Sequence, residues 1–199
     1  MNKVIIVGGG AAGMLCSIIA ARNGCEVFLY EKNEKLGKKL YITGKGRCNV
    51  TNNCEVEDLL RAVMTNSKFL YSAFYTFNSQ DMMALLEETG VPLKTERGNR
   101  VFPQSDRSSD IIRGLERLMK KYGVHVRFRS EVREILTKDG AATGISLADG
   151  EVQNADAVVV ATGGLSYPTT GSTGDGYRFA EETGHQVTDI MPALVPLEL

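Results

Sequence analysis

The sequence predicts an α/β fold built around a parallel β-sheet, and two observations near its start carry this prediction. Residues 3–7, KVIIV, form a short apolar run rich in β-branched side chains, which is typical of a strand buried on both faces. A glycine-rich turn and a run of small apolar residues come next, followed by a second strand-like run, EVFLYE, at 26–31. This β-α-β order implies parallel strands joined by a right-handed crossover.

The composition is that of one globular domain, which we take to span residues 1–199. A hydrophobic fraction of 43% can form a core, and a net charge of −1 predicts no nucleic-acid partner. No apolar run approaches the roughly 20 residues that a membrane span requires, and the glycines at 8–10 argue against a signal peptide. Four cysteines without a C-x-x-C pair suit a reducing compartment. We therefore expect a cytoplasmic protein with no membrane partner.

The turn after the first strand carries a dinucleotide-binding fingerprint, G-x-G-x-x-G, formed by Gly8, Gly10 and Gly13. The first glycine permits the tight turn, the second admits a pyrophosphate, and the third lets the helix and the strand pack closely. The helix that follows is predicted from Ala11 to Asn23, and its N-terminus offers unpaired N–H groups and a partial positive charge to phosphates. The pattern therefore predicts a Rossmann-type domain that binds FAD or NAD(P).

An acidic residue closes the second strand, since Glu31 follows Gly8 by 23 positions. A carboxylate at this place can accept hydrogen bonds from both hydroxyls of an adenosine ribose, and its negative charge disfavours a 2′-phosphate. NAD and FAD both carry such a ribose, so the turn and Glu31 leave the choice between them open.

A polar stretch at 33–55 contains several glycines and no obvious secondary structure, which is typical of a functional loop. Three helical stretches follow near 56–64, 68–77 and 80–89. Together they predict a helical insertion at about 55–92.

An extended pair, PLKTE and NRVFP, follows the insertion and is predicted to turn at Gly98-Asn99. From Ser108 an amphipathic helix is predicted to run to Gly123. Its apolar face comprises the residues at 111, 112, 115, 118 and 119. The motif that precedes this helix and includes Asp106 either binds substrate or stabilises a turn and a helix cap. We favour the structural interpretation, in which Asp106 serves the turn or the cap.

The second half of the chain predicts a strand, VHVRFR, and then a three-stranded β-meander, VREILTK, AATGISLA and EVQNA. Asp139-Gly140 and Asp149-Gly150 separate the three runs, and Asp-Gly between extended runs is a strong hairpin signal. The run ADAVVVATGG, from Ala155, predicts a further buried strand that ends in two glycines. The final stretch, TDIMPALVPLEL, predicts a continuation into a second domain after residue 199.

Three further stretches occur in order along the chain: GKKLYITGKGRCNVTN from Gly37, NRVFPQSDRSSDI from Asn99 and ATGGLSYPTTGSTGDGYRFAEETGH from Ala161. Together with the opening turn they resemble the BaiN-like, aminoacetone-oxidase-type bacterial flavoproteins. More distantly, ATGG followed by TGDG looks like the flavoprotein group of fumarate reductase and succinate dehydrogenase. The resemblance covers nearly the whole chain and implies bound FAD, with NAD(P)H as a candidate electron donor.

The resemblance also implies roles for single residues. Lys39, Arg47, Cys48 and Asn49 match the loop that lies along the ribityl and phosphate part of the cofactor, where lysine and arginine can neutralise a pyrophosphate. Val132, at the start of the meander, matches a position whose backbone contacts adenine.

The segment that begins with ATGG is implied to approach the cofactor a second time. The full set of candidate cofactor-binding residues is Gly8, Gly10, Ala11, Ala12, Gly13, Glu31, Lys32, Lys39, Arg47, Cys48, Asn49, Val132, Thr162, Gly163, Gly164 and Asp175. No side chain is assigned to catalysis, because in a flavoprotein oxidoreductase the reactive group is the cofactor. His125 and His185 stand far apart and lack the spacing of metal ligands, so no metal site is predicted.

Several alternatives stay open at this stage. The partner is a small-molecule substrate or electron donor, and both an NAD(P)H-linked reductase and a small-amine oxidase fit the motifs. An NAD-dependent dehydrogenase, or a non-catalytic nucleotide-binding fragment, would share the opening turn. Cys48 and Cys54 either form a redox disulfide beside the flavin or are two separate thiols. We favour separate thiols, because the matching loop motif needs only the first cysteine.

Overall fold

A computed structural model describes residues 2–192 of the chain. The strands are β1 (Lys3–Val7), β2 (Glu26–Glu31), β3 (Thr51–Asn52), β4 (Leu93–Glu96), β5 (Arg100–Pro103), β6 (His125–Phe128), β7 (Val132–Lys138), β8 (Ala141–Leu147), β9 (Val152–Asn154) and β10 (Ala157–Val160). The α-helices are α1 (Ala11–Arg22), α2 (Val56–Ala62), α3 (Tyr71–Thr76), α4 (Ser79–Glu88), α5 (Ser108–Lys121) and α6 (Asp175–Glu182). The last seven residues, which carry most of the predicted continuation, lie outside this described part.

The centre of the fold is a four-stranded parallel sheet in the order β10-β1-β2-β6. β1 pairs on one side with β2 and on the other with β10, so that Val7 lies opposite both Tyr30 and Val160. All three strands therefore end at the same edge of the sheet. The α/β architecture with a parallel sheet that the sequence predicts is confirmed.

Apolar side chains fill both faces of this sheet. On one face Ile6 and Leu29 pack with Met14 and Ile18 of α1. On the other face Ile5 packs with side chains of the β-meander. Because successive side chains of a strand point to opposite faces, a strand covered on both sides must be apolar throughout, as KVIIV is.

Helix α1 begins at the glycine-rich turn and ends one residue earlier than predicted. The N–H of Cys25 donates to the carbonyl of Ala20 (3.1 Å) and the N–H of Gly24 to that of Ala21 (3.0 Å), which is the Schellman pattern. Gly24 has φ +82°, a left-handed conformation that glycine adopts without a Cβ clash. This helix returns the chain to β2 beside β1 and completes the β-α-β unit.

The polar stretch at 33–55 is more ordered than the sequence predicted. Its central part, Leu40–Gly46, contains 3-10 turns interrupted by a kink, where Thr43, Gly44 and Lys45 have non-helical backbone angles. Its end forms the short strand β3. β3 pairs with β5, so it joins the β4–β5 hairpin in an antiparallel sheet of order β3-β5-β4. A two-residue strand that is made by pairing with a partner 48 positions later carries no local signal of its own.

The helical insertion contains α2, α3 and α4. The stretch predicted as one helix at 68–77 begins as a 3-10 turn at Ser67–Leu70 and continues as α3. α4 begins with a capping box, in which the Asn78 side chain accepts from the N–H of Asp81 and the Asp81 side chain accepts from the N–H of Asn78. The predicted helices are therefore confirmed in type, with altered boundaries.

Helix α5 buries the apolar face that its pattern predicts. The residues at 111, 112, 115, 118 and 119 are all at most 3% exposed. Asp106 does not cap this helix, because its carboxylate pairs with Lys94 (2.6 Å) and with Arg47 (3.1 Å). The structural interpretation of Asp106 therefore holds, but through contacts across the loop rather than through a helix cap.

The β-meander β7-β8-β9 forms a separate antiparallel sheet that covers the second face of the parallel sheet. Its first turn, at Asp139-Gly140, has φ +52° and +77°, as a tight hairpin turn requires. The strand β10 that follows was predicted to be buried, and this is wrong for its outer residues, since Val160 is 43% exposed. The reason is that β10 is an edge strand within residues 2–192 and has β1 as its sole neighbour there.

No helix between residues 2 and 192 is both long enough and apolar enough to cross a bilayer.

Candidate dinucleotide-binding site

A cavity of about 550 Å³ opens where β1, β2 and β10 end, and we call it the central cavity. The chain leaves β1 toward β2 on one side, and β10 lies on the other side, so this edge is a topological switch point of the sheet. Ligands of open α/β sheets bind at such a point, outside the carboxyl ends of the strands. The predicted residues on its wall are Gly8, Gly10, Ala11, Ala12, Glu31, Lys32, Lys39, Val132, Thr162, Gly163 and Asp175.

The three fingerprint positions require glycine for different structural reasons. Gly8 has φ +106°, and a Cβ there would lie 2.6 Å from the carbonyl oxygen of Ala161. A Cβ on Gly13 would overlap the carbonyl oxygen of Gly8. A Cβ on Gly10, by contrast, meets no protein atom within 4 Å, although Gly10 lines the central cavity. Packing therefore requires glycine at positions 8 and 13, whereas the absence of a side chain at Gly10 leaves space in the central cavity for a ligand.

The N-terminus of α1 lies at this cavity, and no side chain within residues 2–192 caps it. Gly10 is its N-cap and provides no side chain, and the first turn contains no acidic residue. The first N–H groups of a helix lack intrahelical acceptors, and the helix dipole makes this end partially positive. A helix of 12 residues with this end on a cavity fits a phosphate group.

Glu31 lies at the end of β2, is 7% exposed and accepts a hydrogen bond from the backbone of the glycine-rich turn. Its Oε2 accepts from the N–H of Gly9 (2.6 Å), and its Oε1 accepts from the backbone N–H and the side-chain amide of Asn33 (both 2.7 Å). A carboxylate has about four acceptor sites, so roughly one remains free at Oε2. Glu31 can therefore accept from a ribose hydroxyl, and it also supports the fold of the turn.

Lys32 and Asp175 form an ion pair across the cavity wall, with 2.7 Å between Nζ and Oδ2. Lys32 also donates to the hydroxyl of Thr173 (2.7 Å). Burial by itself would raise the pKa of Asp175, but the hydrogen bond and the charge of Lys32 outweigh it, and this pKa lies below its usual value. The pair joins the end of β2 to the start of α6 and adds no net charge to the cavity.

Thr162 brings an unsatisfied polar atom to the site. Its hydroxyl oxygen is buried and has no hydrogen-bond partner in the described part of the chain. A buried hydroxyl without a partner is destabilising, so a ligand that supplies one is favoured there. Together with the open cradle at Gly10, this atom shows that the cavity fits a polar dinucleotide such as FAD.

Five of the predicted residues do not line the central cavity. These are Gly13, Arg47, Cys48, Asn49 and Gly164. Arg47 instead pairs with Glu96 of β4, and Cys48 packs in the hydrophobic core. Their role in cofactor binding stays a prediction. By contrast, Lys39 does line the cavity, and its Nζ donates to the carbonyl of Ser166 (2.7 Å), 127 positions later in the chain.

Several cavity residues were missed by the sequence analysis. Gly9 leaves room for Glu31, because a Cβ there would come within 3.0 Å of its Oε2. Asn33 binds Glu31 and also reaches the carbonyl of Thr170 (3.4 Å). The triple glycine could have indicated Gly9, whereas Asn33 becomes a site residue through contacts 137 positions apart, for which no local pattern exists.

The cysteines of the loop are separate thiols. Cys48 is buried, Cys54 is half-buried, and neither is bonded to another cysteine. Burial raises the pKa of the Cys48 thiol, which keeps it in the protonated, less reactive form. The geometry supports the interpretation as two separate thiols.

Comparisons with known proteins agree with this geometry. The family described as the HI0933-like protein Rossmann domain matches residues 2–191. Over its full length the chain is 33% identical to the 3-dehydro-bile acid delta(4,6)-reductase of Clostridium scindens, of which it covers 48%. Over 98% of its length it is 35% identical to the ribosomal RNA dihydrouridine synthase of Escherichia coli, again covering 48% of that protein. The chain thus spans about half the length of the curated relatives it matches.

Solved structures show the same fold at lower identity. The 3-ketosteroid-delta4-(5alpha)-dehydrogenase from Rhodococcus jostii RHA1 superposes with a TM-score of 0.64 over 83% of this chain and 47% of that one. At 18% identity this likeness speaks for the fold alone. The family match and the curated relatives confirm the resemblance to the BaiN-like flavoproteins that the sequence indicated.

Proposed function

Because this chain belongs to the HI0933-like Rossmann-domain family, we propose that it is the FAD-binding half of a flavoprotein oxidoreductase. One observation carries the proposal. The central cavity brings together the uncapped N-terminus of α1, the carboxylate of Glu31 and the unpartnered hydroxyl of Thr162, which lie on three neighbouring elements at a switch point of the sheet. The helix N-terminus suits a pyrophosphate and the carboxylate suits an adenosine ribose, while the hydroxyl offers one further hydrogen bond.

Each part of the site has a task in this proposal. The backbone N–H groups from Gly10 to Ala12 bind the pyrophosphate, and Glu31 accepts from the adenosine ribose. Lys39 adds a positive charge at the cavity wall, and the backbone near Val132 contacts the adenine. Bound flavin supplies the hydride or electron transfer, while the chain supplies binding, orientation and the electrostatic environment.

The direction of the reaction is proposed to be reductive. The names of two relatives, a delta(4,6)-reductase and a dihydrouridine synthase, both describe the addition of hydrogen to an unsaturated compound. An amine oxidase finds no such support. NAD(P)H as the electron donor stays a prediction, and so does the small-molecule substrate. The net charge argued against nucleic acid, but a relative named for ribosomal RNA leaves that expectation undecided.

An NAD-dependent dehydrogenase is the rival function. It requires a proton-transferring side chain at the cavity, and neither His125 nor His185 lines it. Lys32 and Lys39 line the cavity, but each is engaged, with Asp175 and with the carbonyl of Ser166. No histidine lines the cavity within residues 2–192 and its lysines are engaged, which favours the flavoprotein over the dehydrogenase.

The visible absorption spectrum of the purified protein tests the proposal. We expect the two bands of oxidised flavin, and we expect the nucleotide released by heat to co-elute with FAD rather than FMN on a chromatography column. A colourless protein that ignores added FAD but binds NADH in a titration would support the dehydrogenase instead.

Replacement of Glu31 by glutamine tests the ribose contact. We expect Glu31→Gln to weaken FAD affinity at least tenfold, because a charged hydrogen bond contributes about 1.5–3 kcal/mol. The melting temperature should fall as well, since Gly9 and Asn33 lose a charged acceptor. Glu26→Gln, at the exposed start of the same strand, is the matched control and should change neither quantity. A lower melting temperature with unchanged affinity would assign Glu31 to the fold alone.

A further inference from the structure

The guanidinium of Arg47 pairs with Glu96 of β4 and with Asp106, which follows β5. Its Nη1 and Nη2 donate to the two carboxylate oxygens of Glu96 (2.9 and 3.2 Å), and Nη1 also donates to Asp106 (3.1 Å). Its Cζ lies 3.9 Å from the centre of the Phe102 ring. Lys94 pairs with Asp106 at 2.6 Å, so two positive and two negative charges balance in this cluster. The charge of Arg47 is therefore already paired within this cluster.

The loop that carries Arg47 has an unfavourable backbone conformation. Lys45 and Cys48 both have positive φ, +58° and +62°, a left-handed conformation that side chains with a Cβ disfavour. Inside the loop, the N–H of Cys48 donates to the carbonyl of Thr43 (3.0 Å). Such a conformation persists when surrounding contacts hold it, and the bidentate pair of Arg47 with Glu96 is one of these contacts.

The same loop forms one wall of the central cavity. Lys38, Lys39, Leu40 and Thr43 line the cavity, and they precede Arg47 by four to nine positions. Lys39 also donates to the carbonyl of Ser166, which follows β10. The position of this wall thus depends on where the loop is anchored.

We propose that Arg47 is a positioning residue, which anchors residues 38–48 to the antiparallel sheet β3-β5-β4 and so sets the shape of the central cavity. The effect of Arg47 on FAD affinity rests on the proposed function. The anchoring of residues 38–48 does not depend on FAD binding. It differs from the role that the family resemblance implies, in which Arg47 contacts the cofactor.

The two roles predict opposite effects of one change. If Arg47 contacted a phosphate, removing its competitor in Glu96→Gln would leave FAD affinity unchanged or raise it. If Arg47 acts through Glu96, then Arg47→Ala and Glu96→Gln release the same loop and both weaken binding. The double variant then loses no more than a single one, because the two side chains act as a unit.

Hydrogen exchange and FAD titration together test the proposal. In the protein freed of cofactor, we expect Arg47→Ala and Glu96→Gln each to speed amide exchange in residues 38–48 about tenfold, with little change in β1 and β2. FAD affinity should fall about tenfold in each variant and no further in the double variant. Arg61→Ala is the matched control, because it removes an exposed arginine paired with Asp58 at 2.7 Å on α2. It should affect neither quantity.

Two results would overturn the proposal. One is unchanged exchange of residues 38–48 in Arg47→Ala. The other is weakened FAD binding in Arg47→Ala together with unchanged or tighter binding in Glu96→Gln. Should the unaltered protein bind no FAD, the proposed function fails, and faster exchange in both variants still supports the anchoring role. Arg47→Lys, which keeps the charge but not the bidentate geometry, should resemble Arg47→Ala and serves if the alanine variant does not fold.

Discussion

Replacement of Gly10 by valine should abolish FAD binding while the protein stays folded. A side chain at this position meets no protein atom within 4 Å, and Gly10 lines the central cavity, so the valine would occupy the space in front of the helix N-terminus. Its backbone, with φ −79° and ψ −171°, is extended and suits valine. Loss of two or more charged hydrogen bonds to the pyrophosphate corresponds to at least a 100-fold lower affinity. Flavin absorbance of the purified variant and an FAD titration measure this.

The matched control is Ala62→Val, which adds a comparable branched side chain at the exposed end of α2. It should keep full flavin occupancy. The melting temperature of Gly10→Val, compared with that of the unaltered protein without cofactor, should be nearly the same. Full flavin occupancy in Gly10→Val would exclude the glycine-rich turn as the phosphate cradle.

Replacement of Gly13 by alanine should act on the fold instead. Its added Cβ would overlap the carbonyl oxygen of Gly8, and a backbone oxygen cannot move aside without shifting α1 from β1. Inserting a group into such a packed contact costs typically about 1–3 kcal/mol in the free energy of unfolding. In a chain of this size that lowers the melting temperature by roughly 2–4 °C for each kcal/mol. Thermal unfolding followed by circular dichroism measures it.

Gly10→Ala is the matched control for this variant, because it makes the same chemical change three positions earlier on the same helix, where the Cβ has free space. Its melting temperature should stay close to that of the unaltered protein without cofactor. Equal melting temperatures for Gly13→Ala and Gly10→Ala would contradict the close packing of α1 on β1 that the structure describes.

Local patterns were sufficient for the elements that bury one continuous apolar face. KVIIV, the amphipathic face of α5 and the Asp-Gly turns of the meander each carry their signal within a few residues, so the predicted strands and helices were confirmed. The fingerprint glycines and Glu31 were also identified in this way, because the spacing G-x-G-x-x-G and an acidic residue at the end of β2 are local features.

Elements that depend on a distant partner could not be predicted. β3 exists because it pairs with β5, and Asn33 belongs to the cavity because it reaches the turn near Thr170. The exposed edge of β10 follows from sheet order, which an apolar run such as AVVV does not reveal. The same limit applies to Arg47, which the family resemblance placed beside the phosphate part of the cofactor but whose contacts within the chain are with Glu96 and Asp106.

The sequence by itself determined the α/β class of this protein and its β-α-β start, because backbone sterics and hydrophobic periodicity act over short distances. It also indicated the glycines and the carboxylate of the candidate dinucleotide site. The tertiary structure alone decided which glycine faces the cavity and which two are held by packing. It also decided that Glu31 supports the turn and that Arg47 anchors a loop. Burial and ion pairing depend on which residues the fold brings together from distant positions, and that information is absent from any single stretch of sequence.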